Sequence, residues 1–171
     1  MQNAKDMALL ACMDGLFGYA MVITHNYASA ADLVQETYLR ALNAKEHPRN
    51  HGEVKGWLFT ILRNIWLNQL RRRRTAREVA DLNIIGESNL KLAADDSTAD
   101  PHTLYVRDIV TTRVREAISK LPTKFREIIF LREYEELSYK EISIIVGCPA
   151  GTVMSRLARA RTRLRILLAS T

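Results

Sequence analysis

The sequence predicts an all-α protein of two small helical domains joined by a flexible linker, the C-terminal domain a helix-turn-helix. Three observations carry this. Apolar residues recur at helical spacing through most of the 171 residues, without the sustained alternation that a half-buried strand needs. Glycine and proline are scarce, at seven and four, so the punctuation of a many-stranded fold is missing. One stretch, from about Ala76 to Pro101, breaks the helical pattern. Gly, Ser, Asn and Asp gather there and aromatics are absent. From Asp81 onward five acids (Asp81, Glu87, Asp95, Asp96, Asp100) stand against one base, Lys91. The expected organisation is a domain at 1–75, a linker at 76–102 and a second domain at 103–171.

Helices are expected at about 4–24, 29–43, 53–74, 103–119, 123–135, 139–146 and 151–168. In the first, Leu9, Met13, Leu16, Phe17, Ala20 and Met21 recur on one face. The stretch Met7–Ile23 has the hydropathy of a signal peptide, but Asp14 interrupts it. No run of 18 uninterrupted apolar residues exists, so no membrane insertion is expected. In the second helix Leu33, Val34, Thr37, Ala41 and Leu42 can face a core, while Asp32, Gln35, Glu36 and Leu39 offer a mixed polar surface. In the third, Trp57, Leu58, Ile61, Leu62 and Ile65 sweep one arc. Thr60, Arg63, Asn64, Leu67 and Arg71 sweep the other, with Asn68 at its edge.

The C-terminal elements are the most sharply punctuated. Ser138-Tyr-Lys-Glu141 is a capping box: the Ser138 side chain can accept from the Glu141 amide, and the Glu141 carboxylate from the Ser138 amide. Ile142, Ile145 and Val146 form the apolar face that follows. Gly147 supplies the left-handed residue that ends a helix, and Pro149 bars its continuation. A second helix begins near Gly151-Thr152. Val153, Leu157, Ala160 and Leu164 fall on its inward face. Thr152, Ser155, Arg156, Arg159 and Arg163 fall on the other. Arginine can bond guanine O6 and N7 bidentately, hydroxyls suit bases or phosphates, and a helix N-terminus favours a phosphate.

Charge supports the same reading. The net charge is +6 and the isoelectric point about 9.5, a balance that favours an anionic partner. Five arginines fall in seven residues at Arg71–Arg74 and Arg77. Five more fall in ten at Arg156, Arg159, Arg161, Arg163 and Arg165. Each half thus carries a basic patch able to contact phosphates. Cys12 and Cys148 lie far apart with no metal-ligand spacing and read as reduced thiols of a cytoplasmic protein. His47 and His51 are four apart, but Pro48 opposes a helix covering both and no third ligand is evident, so no metal is expected. There is no nucleophile–base pair and no glycine-rich phosphate loop. No enzyme activity, cofactor or small-molecule substrate is expected.

At family level the motifs are specific. Leu121-Pro, Phe125-Arg-Glu-Ile-Ile-Phe-Leu-Arg-Glu133, Leu137-Ser-Tyr-Lys-Glu-Ile142 and Gly151-Thr-Val-Met-Ser-Arg-Leu157 resemble the fourth conserved region of sigma factors. The match is to the extracytoplasmic-function (ECF) group, the small two-domain sigma factors of bacterial RNA polymerase. Asp32-Leu-Val-Gln-Glu-Thr-Tyr-Leu-Arg-Ala-Leu42 and Trp57-Leu-Phe-Thr-Ile-Leu-Arg-Asn-Ile-Trp-Leu-Asn-Gln-Leu-Arg71 are similar to the second conserved region, in the expected order.

The resemblance implies roles. Thr152, Ser155, Arg156, Arg159 and Arg163 would meet the minus-thirty-five element. Met154 stands where the family usually has lysine or another polar residue. Asp32, Gln35, Glu36 and Leu39 would dock on core RNA polymerase, an acidic and amide surface gripping a basic coiled coil. Thr60, Arg63, Asn64, Asn68 and Arg71 would meet the minus-ten element; many relatives have aspartate at position 68. The loop at about 46–55 would capture a flipped base, whose extrusion costs a few kcal/mol of stacking. The acidic linker would thread the polymerase channels. Partners are then core RNA polymerase, promoter DNA and an anti-sigma factor that holds the protein inactive. Two alternatives remain open. One is a sigma-like protein that sequesters an anti-sigma factor; such proteins usually carry a receiver domain, which is not seen here. The other is a stand-alone helix-turn-helix repressor, which leaves the N-terminal motifs unexplained.

Overall fold

The computed structural model describes the backbone of residues 9–48, 51–82 and 109–169, and the side chains of 9–48, 53–75 and 113–169. Among the described residues every regular element is helical. A short helical segment at 9–11 breaks at Cys12, and α1 runs over Met13–Thr24. His25 closes it in the left-handed conformation, with φ of 56°. Asn26 then caps α2 (Tyr27–Leu42), its side chain accepting from the Ser29 amide at 2.9 Å. The third helix, α3, spans His51–Leu82.

The second half comprises α4 (Ile109–Ser119), α5 (Thr123–Ile129), a π-helical turn at Phe130–Tyr134, α6 (Tyr139–Val146) and α7 (Ala150–Ala169).

Three helices differ from expectation. The first helix is interrupted at Cys12. The third begins at His51, so residues 51–55 of the expected base-capturing loop are helical, and it runs to Leu82 rather than ending near 75. Arg71–Arg74 are unbranched, good helix formers, and no glycine or proline stops the chain before Leu82. The expected helix at 123–135 switches to π geometry at Phe130. The remainder of the expected linker, with its acids from Glu87 to Asp100, lies outside the described residues, as do positions 4–8 and 103–108.

Within the first half α1, α2 and α3 pack on one another around Leu16, Ala20, Ala30, Leu33, Leu58 and Leu62, all fully buried. Leu42, expected in this core, is 44% exposed. It lies about 100° past Ala41 around the helix, outside the buried sector. In the second half α7 packs on α4, α5 and α6 around Phe125, Ile128, Leu131, Ile142, Val153, Leu157 and Ala160.

The two halves share one continuous apolar cluster. Helix α1 lies against α5 and the π-turn, and α3 against α6. Two glycines one turn apart on α1 admit this approach. A Cβ at Gly15 would stand 2.7 Å from Glu135 Oε1, and one at Gly18 2.8 Å from Phe130 Cζ. Beside Gly18, Tyr19, fully buried, sits edge-on to Phe59 and stacks with Phe130, at centroid distances of 5.2 and 6.2 Å.

Most of the polar groups buried here are matched, the exceptions among the described residues being His25 Nε2 and Arg126 Nε, which have no hydrogen-bond partner. Tyr19 donates its hydroxyl hydrogen to Glu127 Oε1 at 2.5 Å, and Arg63 Nε donates to the same oxygen at 2.6 Å. Burial first, and the Glu127 carboxylate second, push the Tyr19 hydroxyl well above its ordinary pKa, so the proton stays on tyrosine and is donated. At the far end of the contact Lys55 Nζ meets both the backbone carbonyl and the Oε2 atom of Glu135, each at 2.8 Å.

Candidate nucleic-acid interface

The C-terminal pair α6–α7 is built as its sequence dictates. Ser138 Oγ accepts from the Glu141 amide at 3.2 Å, and Glu141 Oε2 accepts from the Ser138 amide at 2.7 Å. The Ser138 hydroxyl also donates to Glu141 Oε2 at 2.6 Å, and this bond first, then that from the Ser138 amide, holds the Glu141 carboxyl below its ordinary pKa. Gly147 adopts φ of 66° and returns its amide to the Ser143 carbonyl. The Pro149 carbonyl then receives the amides of Thr152 and Val153 at 2.9 and 3.1 Å. Helix α7 is thereby set firmly against α6, with Val153, Leu157 and Ala160 buried beneath it.

Its outer face carries the nominated residues, but not all alike. Ser155 and Arg159 are exposed, and Thr152 and Arg156 half-buried beside them. Neither Arg156 nor Arg159 forms an ion pair or side-chain hydrogen bond with another described residue. Arg163 is placed differently. Its guanidinium lies over the Phe125 ring, 4.9 Å from the centroid, and it lines a small groove with Lys120, Leu121, Pro122, Ile166 and Leu167. Arg161, which was not nominated, is tied to Glu133 of the π-turn at 2.5 Å.

On α3 the nominated set divides in the same way. Asn64, Asn68 and Arg71 are exposed and Thr60 half-buried. Arg71 Nη1 donates to Asn68 Oδ1 at 2.8 Å, and the Thr60 hydroxyl donates to the Gly56 carbonyl. Arg63 stands apart, its guanidinium engaged by Glu127 of the other half, with 18% of the side chain exposed.

A third feature lies between α2 and α3. An open groove of about 460 Å³ is lined by Asp32, Gln35, Glu36, Leu39 and Arg40 from one helix and Ile65, Asn68, Gln69 and Arg72 from the other. All four residues nominated for polymerase docking fall on it. Asn68, nominated for DNA, falls there too. Glu36 pairs with Arg40 at 2.7 Å. His47 is used locally: Nε2 lies 2.7 Å from the Ala41 carbonyl, and its ring sits against Trp57. Among the described residues no group of three or more His, Cys, Asp or Glu is placed to hold a metal ion.

Against known proteins, residues 10–76 match the family model Sigma-70 region 2, and residues 111–164 match Sigma-70, region 4. The ECF RNA polymerase sigma factor EcfG of Rhodopseudomonas palustris is 37% identical over 160 residues, which span 94% of this chain and 82% of that protein. The chain belongs to the ECF RNA polymerase sigma factors. RNA polymerase sigma-H factor of Pseudomonas aeruginosa is also similar, 31% identical over 94% of this sigma factor and 83% of its own length. Among solved structures, the sigma factor RpoE of Bartonella quintana, crystallised with the anti-sigma factor NepR, superposes with a TM-score of 0.67. It is 32% identical and is covered over 98% of its length, against 99% of this chain. The structure of CnrH with the cytosolic domain of CnrY, at 23% identity and a TM-score of 0.61, shares the fold.

As an ECF sigma factor the chain directs RNA polymerase to promoters and starts transcription. Sequence reasoning had not found Arg40, Gln69 and Arg72 on the groove. Arg40 carried a signal in its spacing of four from Glu36. The junction residues Tyr19, Lys55, Glu127 and Glu135 carried none, because each partner is distant in sequence. Among the described residues no helix is long and apolar enough to cross a membrane.

Proposed function

We propose that this sigma factor grips core RNA polymerase through the α2–α3 groove and reads the minus-thirty-five element with Thr152, Ser155, Arg156 and Arg159. Thr60, Asn64, Asn68 and Arg71 meet minus-ten DNA. Arg163 adds a cation toward phosphate from its seat on Phe125. Arg63 joins the DNA-facing set only when its pair with Glu127 is broken, so the two halves part as the promoter is engaged. The observation that carries the reading is the outer face of α7: two arginines without an ionic partner among the described residues, beside two hydroxyls, on a helix whose other side buries Val153, Leu157 and Ala160.

The protein acts in the cytoplasm, performs no covalent chemistry of its own and needs no cofactor. An anti-sigma factor is its natural antagonist; the similarity to RpoE, solved in complex with NepR, supports such a partner. The first domain extends to about residue 75 and the second from about 103, consistent with the two matched regions.

The test is reconstitution with bacterial core polymerase and run-off transcription from a pool of genomic fragments. A stable complex and discrete transcripts that vanish with Arg156→Ala or Asn64→Ala are expected. Failure to form any complex with core polymerase would remove the reading.

A further inference from the structure

One side chain on the reading face of α7 does not match its neighbours. Three stripes run along the outer surface of this helix, each made of residues four apart. Thr152 and Arg156 form one and Ser155 and Arg159 the next; both are polar. The third is Met154 and Ala158, and it is apolar. Met154 is 46% exposed, Ala158 is exposed, and neither belongs to the buried cluster or to the side chains packed against it. Met154 is the fifth residue of α7, in the N-terminal part of a recognition helix that enters the major groove.

The chemistry of that groove leaves one counterpart for such a stripe. Base edges there present donors and acceptors, with a single apolar group, the C5-methyl of thymine. A thioether on an unbranched chain is flexible and nearly without hydrogen-bonding capacity. Set against the edge of guanine, cytosine or adenine, it would strip water from polar atoms and return nothing. Set against a thymine methyl, it removes apolar surface from water on both sides. Ala158, one turn further along the same stripe, is small enough to let the base edge approach.

We infer that Met154, backed by Ala158, is a specificity-determining residue that reads a thymine methyl group in the minus-thirty-five element. The inference rests on the reading of α7 as the promoter-reading helix. Arginine and hydroxyl contacts supply the rest of the recognition, and Met154 sets the preference for thymine at one position or two adjacent ones.

The experiment uses holoenzyme assembled from the full chain and core polymerase. A promoter library randomised over the minus-thirty-five region is selected for binding. Each thymine of the selected element is then replaced singly by deoxyuridine, which keeps the base pair and deletes only the methyl. Burial of one methyl predicts a loss of about fourfold in affinity at the position read. With Met154→Gln, a side chain of similar length and helix propensity on an exposed site, that loss disappears while binding to the rest of the element persists. An element without thymine, thymines that all tolerate uracil, or a penalty undiminished in Met154→Gln each overturn the inference and leave the promoter-reading role of α7 standing. No selection at the randomised region overturns both.

Discussion

Glu127 concentrates the residue-scale argument. One carboxylate oxygen, buried at the junction, accepts from Tyr19 and from Arg63. Tyr19→Phe keeps the ring and its stacking and deletes one donor, while Arg63 still satisfies the carboxylate. A loss of about 1 kcal/mol in urea unfolding is expected; no loss would mean the hydroxyl contributes nothing net. Arg156 has no such competitor, so Arg156→Ala should reduce binding to a cognate promoter by about 1–3 kcal/mol, with relaxed preference at one base pair. A loss equal on all sequences would mark it as a phosphate contact instead.

His25 adds a pH dependence. Burial, and then the nearby positive charge of Arg126, lower its pKa below the usual 6.5. The folded protein therefore prefers the neutral ring, and below about pH 6.5 the unfolded chain takes up a proton that the native state resists. Stability should fall as pH drops through that value toward the folded pKa. His25→Asn, which tolerates the left-handed backbone at this position, should flatten the urea-midpoint profile between about pH 7.5 and about pH 5.5. Parallel profiles for the two proteins would rule His25 out as the source.

At the scale of single elements the helix-turn-helix rests on two local devices. Ser138→Ala removes one side of the capping box and should cost about 1 kcal/mol of stability. Gly147→Ala meets no steric neighbour, since a Cβ there has nothing within 4 Å. Its cost is purely that of a left-handed backbone, about 1–2 kcal/mol. Both are read by thermal or urea denaturation, and a neutral result at either site would contradict the local account. These devices were legible in the sequence because each involves residues within a turn of one another. The π-turn at Phe130–Tyr134 was not. An i→i+5 register leaves no periodic signature over five residues, and it is held by what it touches: Tyr19 stacked on Phe130, and Lys55 gripping the following residue, Glu135. The length of α3 was misjudged for a related reason. An arginine-rich polar stretch has no apolar stripe to mark it as helix, although its propensity permits one.

For the whole molecule, the continuous apolar cluster makes the two regions one cooperative body. A single unfolding transition is expected. Gly18→Leu places a large side chain where even a methyl would stand 2.8 Å from Phe130, without touching the core within α1–α3. It should raise the radius of gyration measured by small-angle scattering and split the unfolding into two steps. An unchanged radius with one transition would show that the junction can absorb the insertion. Because Arg63 is freed when the junction opens, the same variant reports whether minus-ten contacts compete with closure.

Periodicity, caps and motif order were enough to identify an all-α chain, a helix-turn-helix with a polar outer face, a mixed polar face on α2 and the family to which the whole belongs. These depend on interactions local in sequence, or on residue types arranged along one helix, and both are written in the order of the residues. The partners across the junction are not. Tyr19 and Glu127 are 108 positions apart, and Arg63 and Glu127 are 64. An amphipathic pattern says that a face is buried without saying what covers it. So Arg63 read as one more DNA-facing cation and Arg163 as a member of the same row as Arg159, and nothing in the sequence marked Gly15 and Gly18. Tertiary packing gave each of them a neighbour: for Arg63, Gly15 and Gly18 it comes from the other half, and for Arg163 it is the Phe125 ring within its own half.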